Sequence, residues 1–238
     1  MKTFKLLLVA FAFTAFAQVN AQTAEEIVAN YFENTGGIDN WKKIEGIKFT
    51  ATVNQMGMEI PIEMVQLSDG RTATIISFQG KEIKQGVFDG ETLWSTNFMS
   101  MKAEKSDPEQ TAMVKQAIAE FPDPFLNYKE NGFTIALDGE ETIDGTETFK
   151  IKLTKKPITV DGKEEENIVY YFFDKDNFVP IATRSEVKSG PSKGQMSEST
   201  FSDYQEVALR PDKKASALLL RDTALNWENL SEEEKTKV

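Results

Sequence analysis

Gly46-Ile47-Lys48-Phe49-Thr50-Ala51-Thr52-Val53, followed by Met58-Glu59-Ile60-Pro61-Ile62-Glu63-Met64, is the stretch that decides the reading of this chain. Apolar side chains occupy every second position of both runs, and Lys48, Thr50, Thr52, Glu59, Pro61 and Glu63 fill the gaps. That is the period of a strand with one greasy face. A turn around Gln55-Met56-Gly57 joins the two runs. Beyond them, Asp69-Gly70 is a hairpin signal, Gly80-Lys81 turns into Glu82–Phe88, and Asp89-Gly90 leads into Thr92-Leu93-Trp94. Connections this short predict a meander of antiparallel strands from Gly46 to Trp94.

Upstream of the meander lies a helix signal. Thr23 is placed to cap it, Glu25 and Glu26 suit the positive end of the helix dipole, and Ile27, Val28, Tyr31 and Phe32 share one face. Asn34-Thr35-Gly36-Gly37 stops it, and a turn through Asp39, Asn40 and Trp41 leads to the first strand. Earlier still, Lys2 and Lys5 precede an uncharged run from Leu6 to Ala17, and Val19-Asn20-Ala21 offers small residues for cleavage. This reads as a secretory signal peptide over residues 1–21, too short in its apolar run to span a bilayer.

Downstream, Asn97–Lys105 reads as a loop carrying Phe98, Met99 and Met101. Ser106 or Asp107 caps a helix with Pro108 at its first position and an apolar stripe of Met113, Val114, Ala117, Ile118 and Phe121. Pro122 and Pro124 end it, and a second short helical stretch is expected over Phe125–Lys129. Strands resume at Phe133–Leu137 and Phe149–Leu153, with Asp144-Gly145 turning between them. Pro157 to Asn167 reads as a charged hairpin tip, and Ile168–Phe173, Val179–Lys188 and Gln195–Tyr204 as the last strands. Asp212 to Trp227 has helical spacing in Leu220, Ala224 and Trp227. The expected class is mainly β, a curved antiparallel sheet covered by helices at 24–33 and 108–121.

Composition narrows function by what is missing. The chain has no histidine and no cysteine among its 238 residues and a net charge of −11. Ser-His and Cys-His nucleophilic machinery, histidine-ligated metal sites and disulfides are thereby excluded. An acidic surface repels phosphate backbones, so nucleic acid is not an expected partner. Glu140-Glu141, Glu164-Glu165-Glu166 and Glu232-Glu233-Glu234 invite a reading as acid–base pairs. Neighbours on a strand point to opposite faces, so solvated tips are the better reading. Asp174-Lys175-Asp176-Asn177 lacks the glycine and downstream glutamate of a calcium loop. Methionines spread through aliphatic segments suit either ordinary core filling or a surface that receives variable apolar ligands.

Several stretches taken in order resemble the LolA-like periplasmic lipoprotein carriers, the outer-membrane lipoprotein-sorting group. They are Tyr31-Phe32-Glu33-Asn34-Thr35-Gly36-Gly37 with Trp41, Phe78-Gln79-Gly80-Lys81-Glu82, and Phe88-Asp89-Gly90-Glu91-Thr92-Leu93-Trp94. Tyr171-Phe172-Phe173-Asp174 with Phe178-Val179-Pro180-Ile181, and Phe201-Ser202-Asp203-Tyr204-Gln205-Glu206-Val207, complete the series. The resemblance implies an incomplete antiparallel β-barrel (a half-barrel) closed by helices around an apolar cavity for acyl chains. It implies a non-catalytic monomer in the periplasm with no cofactor, receiving lipoproteins from an inner-membrane exporter and yielding them to an outer-membrane acceptor. The side chains expected to meet lipid are Phe49, Val53, Met58, Ile60, Ile62, Met64, Ile76, Phe78, Trp94, Phe98, Met99, Met101 and Met113. The organisation it implies is a signal peptide at 1–21, a carrier domain at 22–207 and an atypical helical tail at 208–238. Gln66-Leu67 stands where the better-known carriers have an arginine, and the tail departs from the family's closing strands. A lipid-sensing or regulatory module on the same scaffold is the rival reading, and a carboxylate-dependent hydrolase a distant third.

Overall fold

The computed structural model describes residues 22–55, 57–205 and 227–235, so the signal-peptide reading and the helix expected from Asp212 fall outside it up to residue 226. Helix α1 (Ala24–Asn34) begins as read. The Thr23 side chain accepts from the Glu26 amide and the Glu26 carboxylate accepts from the Thr23 amide, at 3.2 and 2.9 Å. This reciprocal box satisfies two amides that a helix start otherwise leaves without partners. A single turn of helix, α2 (Ile38–Trp41), follows.

Strands β1 (Gly46–Gln55), β2 (Met58–Leu67), β3 (Thr72–Phe78), β4 (Lys81–Phe88), β5 (Leu93–Thr96) and β6 (Ala103–Lys105) pair in chain order into a six-stranded sheet. A second sheet of β7 (Thr134–Ile143), β8 (Thr146–Val160), β9 (Lys163–Asp174), β10 (Pro180–Glu186) and β11 (Met196–Thr200) is likewise a meander. All pairings within the two sheets are antiparallel, and no closed barrel forms among the described residues. Helix α3 (Pro108–Ala117) joins the sheets in the chain and touches β5 and β8. Asp107 caps it and Pro108 opens it, as the sequence predicts. At its far end the 3-10 turn Ile118–Glu120 presses Ile118 against the β2–β3 turn at Gly70, where any Cβ would collide with that side chain.

Four local expectations are corrected. The stretch 97–105 is not all loop, because Ala103–Lys105 pairs with β5 as β6. Phe125–Lys129 forms turns rather than a helix, with its ends tied by backbone bonds such as Phe133 N–H to the Tyr128 carbonyl. The charged segment 157–167 is ladder nearly throughout. Asp161 and Gly162 both take positive φ, 52° and 73°, giving the two-residue turn that suits twisted strands. Ile158 and Val160 are buried on the way to it. Finally, β11 stops at Thr200 rather than Tyr204.

The main core joins α1 to the second sheet. Ile27, Val28, Tyr31 and Phe32 meet Phe125, Leu126, Phe133, Ile151, Leu153 and Phe173, with Trp41 and Tyr171 at the edge. Phe125 meets Tyr171 and Phe173 edge-on, at 4.8 and 5.7 Å between ring centres. Trp41 donates from its ring nitrogen to the Thr35 hydroxyl at 2.9 Å, which fixes it over Tyr31 and Phe32. Asp123, set between Pro122 and Pro124, accepts from the Tyr31 hydroxyl at 2.9 Å and from the Phe125 amide at 2.8 Å. Burial raises the Asp123 carboxyl to about 6, against the pull of those two donors.

A second core lies on one face of the first sheet. Val65, Leu67, Ala73, Val87, Trp94 and Ala103 are covered there by Trp227 and Leu230 from the C-terminal segment. The Trp227 amide donates to Asp89 at 3.0 Å, the Ala103 amide donates to the Glu234 carbonyl at 2.6 Å, and Trp227 lies 6.4 Å from Trp94 between ring centres. This end of the tail is a docked strap.

Two outcomes are expected. An acid whose folded-state value lies above its unfolded one holds more protons when folded, so Asp123 costs stability as pH rises from about 4 to about 6. Asp123→Asn, which keeps an acceptor for Tyr31, should flatten that part of the stability profile. Urea titrations should show a gain of about 1–2 kcal/mol over the parent at pH 7 and little difference at pH 4. Equal pH dependence in parent and variant would remove Asp123 from the account. Separately, Trp227→Ala should lower unfolding stability by about 2–4 kcal/mol, since a buried aromatic leaves both lost contacts and a cavity. A change under about 0.5 kcal/mol would mean the strap is not docked in solution.

Candidate functional site

The register of the first sheet decides which expected lipid-facing residues share a surface. Phe49 stands opposite Met64, Ala51 opposite Ile62, Val53 opposite Ile60. Ile62 in turn pairs with Ile76, and Ile76 with Ile83. Side chains alternate across a strand, so Ile47, Phe49, Ala51, Val53, Met58, Ile60, Ile62, Met64, Ile76 and Phe78 stand on one face. Eight of the thirteen residues singled out from the sequence are therefore neighbours.

This face is apolar yet open. Phe49 is 50% exposed, Val53, Met58 and Met64 are exposed, and Ile60, Ile62, Ile76 and Phe78 are only partly buried. It closes toward the β4–β5 end, where Ile83, Phe88 and Leu93 are buried. The reverse face of the same strands is polar where it meets solvent. Lys48, Thr50, Thr52, Pro61 and Glu63 stand there, and the Lys48 ammonium pairs with Glu63 at 2.5 Å. An ordinary two-sided sheet buries its greasy face and wets its polar one. Here both faces of β1 and of β2 as far as Met64 are open or only half-buried, Val65 and Leu67 passing under the strap, and the greasy face of these two strands has no full cover among the described residues.

Trp94 does not join this face. Between Thr72↔Phe88 and Thr74↔Gln85 one extra residue enters β4, and Gly86 at the bulge takes φ 56°. Strict alternation through that point assigns the wrong parity. Trp94 pairs with Val87 on the strap side and is buried against Trp227. Met113 sits half-buried on α3. Phe98, Met99 and Met101 occupy the tip of the β5–β6 hairpin, all exposed. The β1–β2, β3–β4 and β5–β6 turns all lie at one end of the sheet, so this tip borders the end of the apolar face marked by Val53, Met58 and Phe78.

The polar side chains of the chain are engaged elsewhere. Glu140 meets Lys175 at 2.7 Å, Glu141 and Glu198 share Arg184, and Glu165 meets Lys188 and Lys193. These are surface pairs on the second sheet, and they neither converge nor face the apolar surface. A cleft of about 980 Å³ opens where α1 ends beside β10 and β11, lined by Asn34, Asp174, Val179, Ile181, Thr200 and Tyr204 among others. None of the thirteen residues expected to meet lipid lines it, although Asn34, Asp174, Val179, Ile181, Phe201 and Tyr204 belong to the stretches that carry the family resemblance.

No protein-family model matches the chain, and neither does any curated protein. Solved structures similar to it include an outer membrane lipoprotein-sorting protein domain from Vibrio parahaemolyticus, 11% identical with a TM-score of 0.42 over 76% of this chain and 78% of that one. A DUF1329 family protein from Desulfovibrio piger is 17% identical, with a TM-score of 0.36 over 68% and 74%. Lipoprotein LppX of Mycobacterium tuberculosis is 11% identical, with a TM-score of 0.32 over 68% and 87%. The lipoprotein-sorting group that the sequence resembles is thus represented among these structures.

Proposed function

We propose that this protein is a non-catalytic carrier that shields the acyl chains of lipoproteins on the open apolar face of its first sheet. One observation supports the reading: ten apolar side chains from β1, β2 and β3 share a face that is exposed or only partly buried, while the face behind β1 and the first half of β2 is polar. Contiguous apolar surface on a monomer marks a place that something else covers. An acyl chain suits it because the contacts are apolar to their ends, and Met58 and Met64 add flexible side chains that adapt to it among the stiffer Phe49, Val53, Ile60 and Ile62. No fixed polar group is needed to hold such a ligand. Burial of each methylene contributes about 0.8 kcal/mol, so a single chain gives useful affinity while remaining reversible.

The rest of the reading follows from the sequence. Residues 1–21 export the chain to the periplasm, residues 22–207 form the carrier domain, and the tail to residue 238 holds the strap. In that compartment the carrier takes its cargo from an inner-membrane exporter and gives it to an outer-membrane acceptor. It acts as a monomer and uses no cofactor.

Ile62→Glu is the test. Ile62 is at the middle of the face, paired on one side with Ala51 and on the other with Ile76, and it is not fully buried. The variant should fold, with a circular dichroism spectrum like the parent's. Its affinity for a solvatochromic fatty-acid probe should fall at least about tenfold, the equivalent of about 1.4 kcal/mol. A folded variant that binds the probe like the parent takes the face out of the site. Native mass spectrometry of protein taken from cells adds the choice of partner: retained acylated cargo supports carriage, and a stoichiometric protein without lipid supports a regulatory role instead.

A further inference from the structure

The two ends of the first sheet differ in chemistry. At one end the chain turns through residues 43–45, 68–71 and 89–92, which carry Glu45, Asp69, Asp89 and Glu91 beside Lys43 and Arg71, the last paired with Asp69 at 2.8 Å. At the other lie the β1–β2, β3–β4 and β5–β6 connections. Among their described residues are Met58, Phe78, Phe98, Met99 and Met101 with Lys81 and Lys102, and no acid at the turns themselves, in a chain with 38 acidic residues. The apolar face of the sheet runs out to this same rim.

The most prominent part of the rim is built rather than loose. The Asn97 side chain accepts from the amides of Met99 and Ser100 at 2.9 and 3.0 Å and donates to Glu104 at 2.8 Å. Its backbone exchanges bonds with Lys102 and Met101, and Met101 is held at φ 58°, a conformation that non-glycine residues seldom adopt. The result is a hairpin tip that presents Phe98 at 64% and Met99 at 97% exposure. Its two most exposed side chains, Phe98 and Met99, are apolar to their ends.

We infer that this rim docks on the surface of a lipid bilayer, with Phe98 and Met99 entering the boundary between headgroups and acyl chains and Lys81 and Lys102 lying at phosphate level. Lysine stems reach along apolar surface while the ammonium stays in the headgroup layer. The outermost residues of the three turns carry no acid, and the nearest glutamates, Glu59, Glu82, Glu104 and Glu234, stand behind Phe98 and Met99, where shallow docking leaves them in water. The acidic turns at the opposite end keep that end in water and so set one orientation. The inference rests on the carrier reading and deepens it: a docked rim opens the apolar face directly onto the membrane that supplies or receives the chain.

Flotation of purified protein with phosphatidylcholine vesicles, with and without phosphatidylglycerol, tests it. The parent should float with both, and more with phosphatidylglycerol at low salt. Phe98→Ser combined with Met99→Ser alters only exposed side chains and should reduce association at least about tenfold. Its circular dichroism spectrum should match the parent's, since both side chains are exposed. A parent that floats with neither vesicle, or a double variant that floats like the parent, overturns the inference. So does a rim that captures a lipid-free protein while ignoring vesicles. Floating vesicle-bound protein that nevertheless lacks probe binding would sink the carrier reading and leave bilayer docking standing.

Discussion

Two sheets compete for one helix able to bury a full apolar stripe. Five residues of α1 are buried, and it spends them on the second sheet, while α3 buries none of its ten. Each buried large apolar side chain contributes about 1.5–3 kcal/mol, so the placement of α1 decides which sheet is internally satisfied. The second sheet becomes a closed aromatic core from Tyr31 to Phe173. The first must find cover elsewhere, through Trp227 and Leu230 on the strap side and at the β4–β5 end of the greasy face, where Ile83, Phe88 and Leu93 are buried. The exposed greasy face is what remains of that allocation.

Chemistry and architecture agree on this point. Lys48 with Glu63 on the reverse side of β1 and β2, and Arg184 with Glu141 and Glu198 on the second sheet, leave charges paired off the apolar face. Exposed pairs of this kind contribute little stability. Their effect is to mark which surfaces are meant for water. Among the described residues the one carboxyl pushed upward by burial, Asp123, sits with Tyr31 in the α1 core and serves as a bond acceptor there.

Much of this was legible in the sequence wherever one face of an element meets solvent. Alternation located β1 to β4, and the Thr23–Glu26 spacing located α1 and its cap. Eight lipid-facing residues came together because period two fixes the face as soon as the register is right. Trp94 was lost to a single extra residue at Gly86, which no count of apolar positions reveals, although a glycine inside a strand is the signal that invites it. The β8–β9 extension was hidden because Lys155 to Asn167 is highly charged, yet Ile158-Thr159-Val160 and Asp161-Gly162 were there to be read as strand and turn. Asp123 was overlooked as an isolated acid. The proline on each side and the phenylalanine beyond each were its one cue. The strap was illegible in principle, since nothing local to Trp227 names Trp94 as its neighbour.

That long reach has a temporal side. The amide of Trp227 and the carboxylate of Asp89 are 138 positions apart in the chain. A ribosome delivers Asp89 long before Trp227, at about 5–20 residues per second, so the meander exists for seconds with Val65, Val87 and Trp94 uncovered. Contacts of such high sequence separation also form slowly once the chain is complete, because the loop between them must be closed first. The nascent first sheet is therefore greasy on both sides, and only the last residues to emerge make it one-sided. Until then it is a natural client for holding factors that grip extended apolar strands, and a truncated chain would remain one.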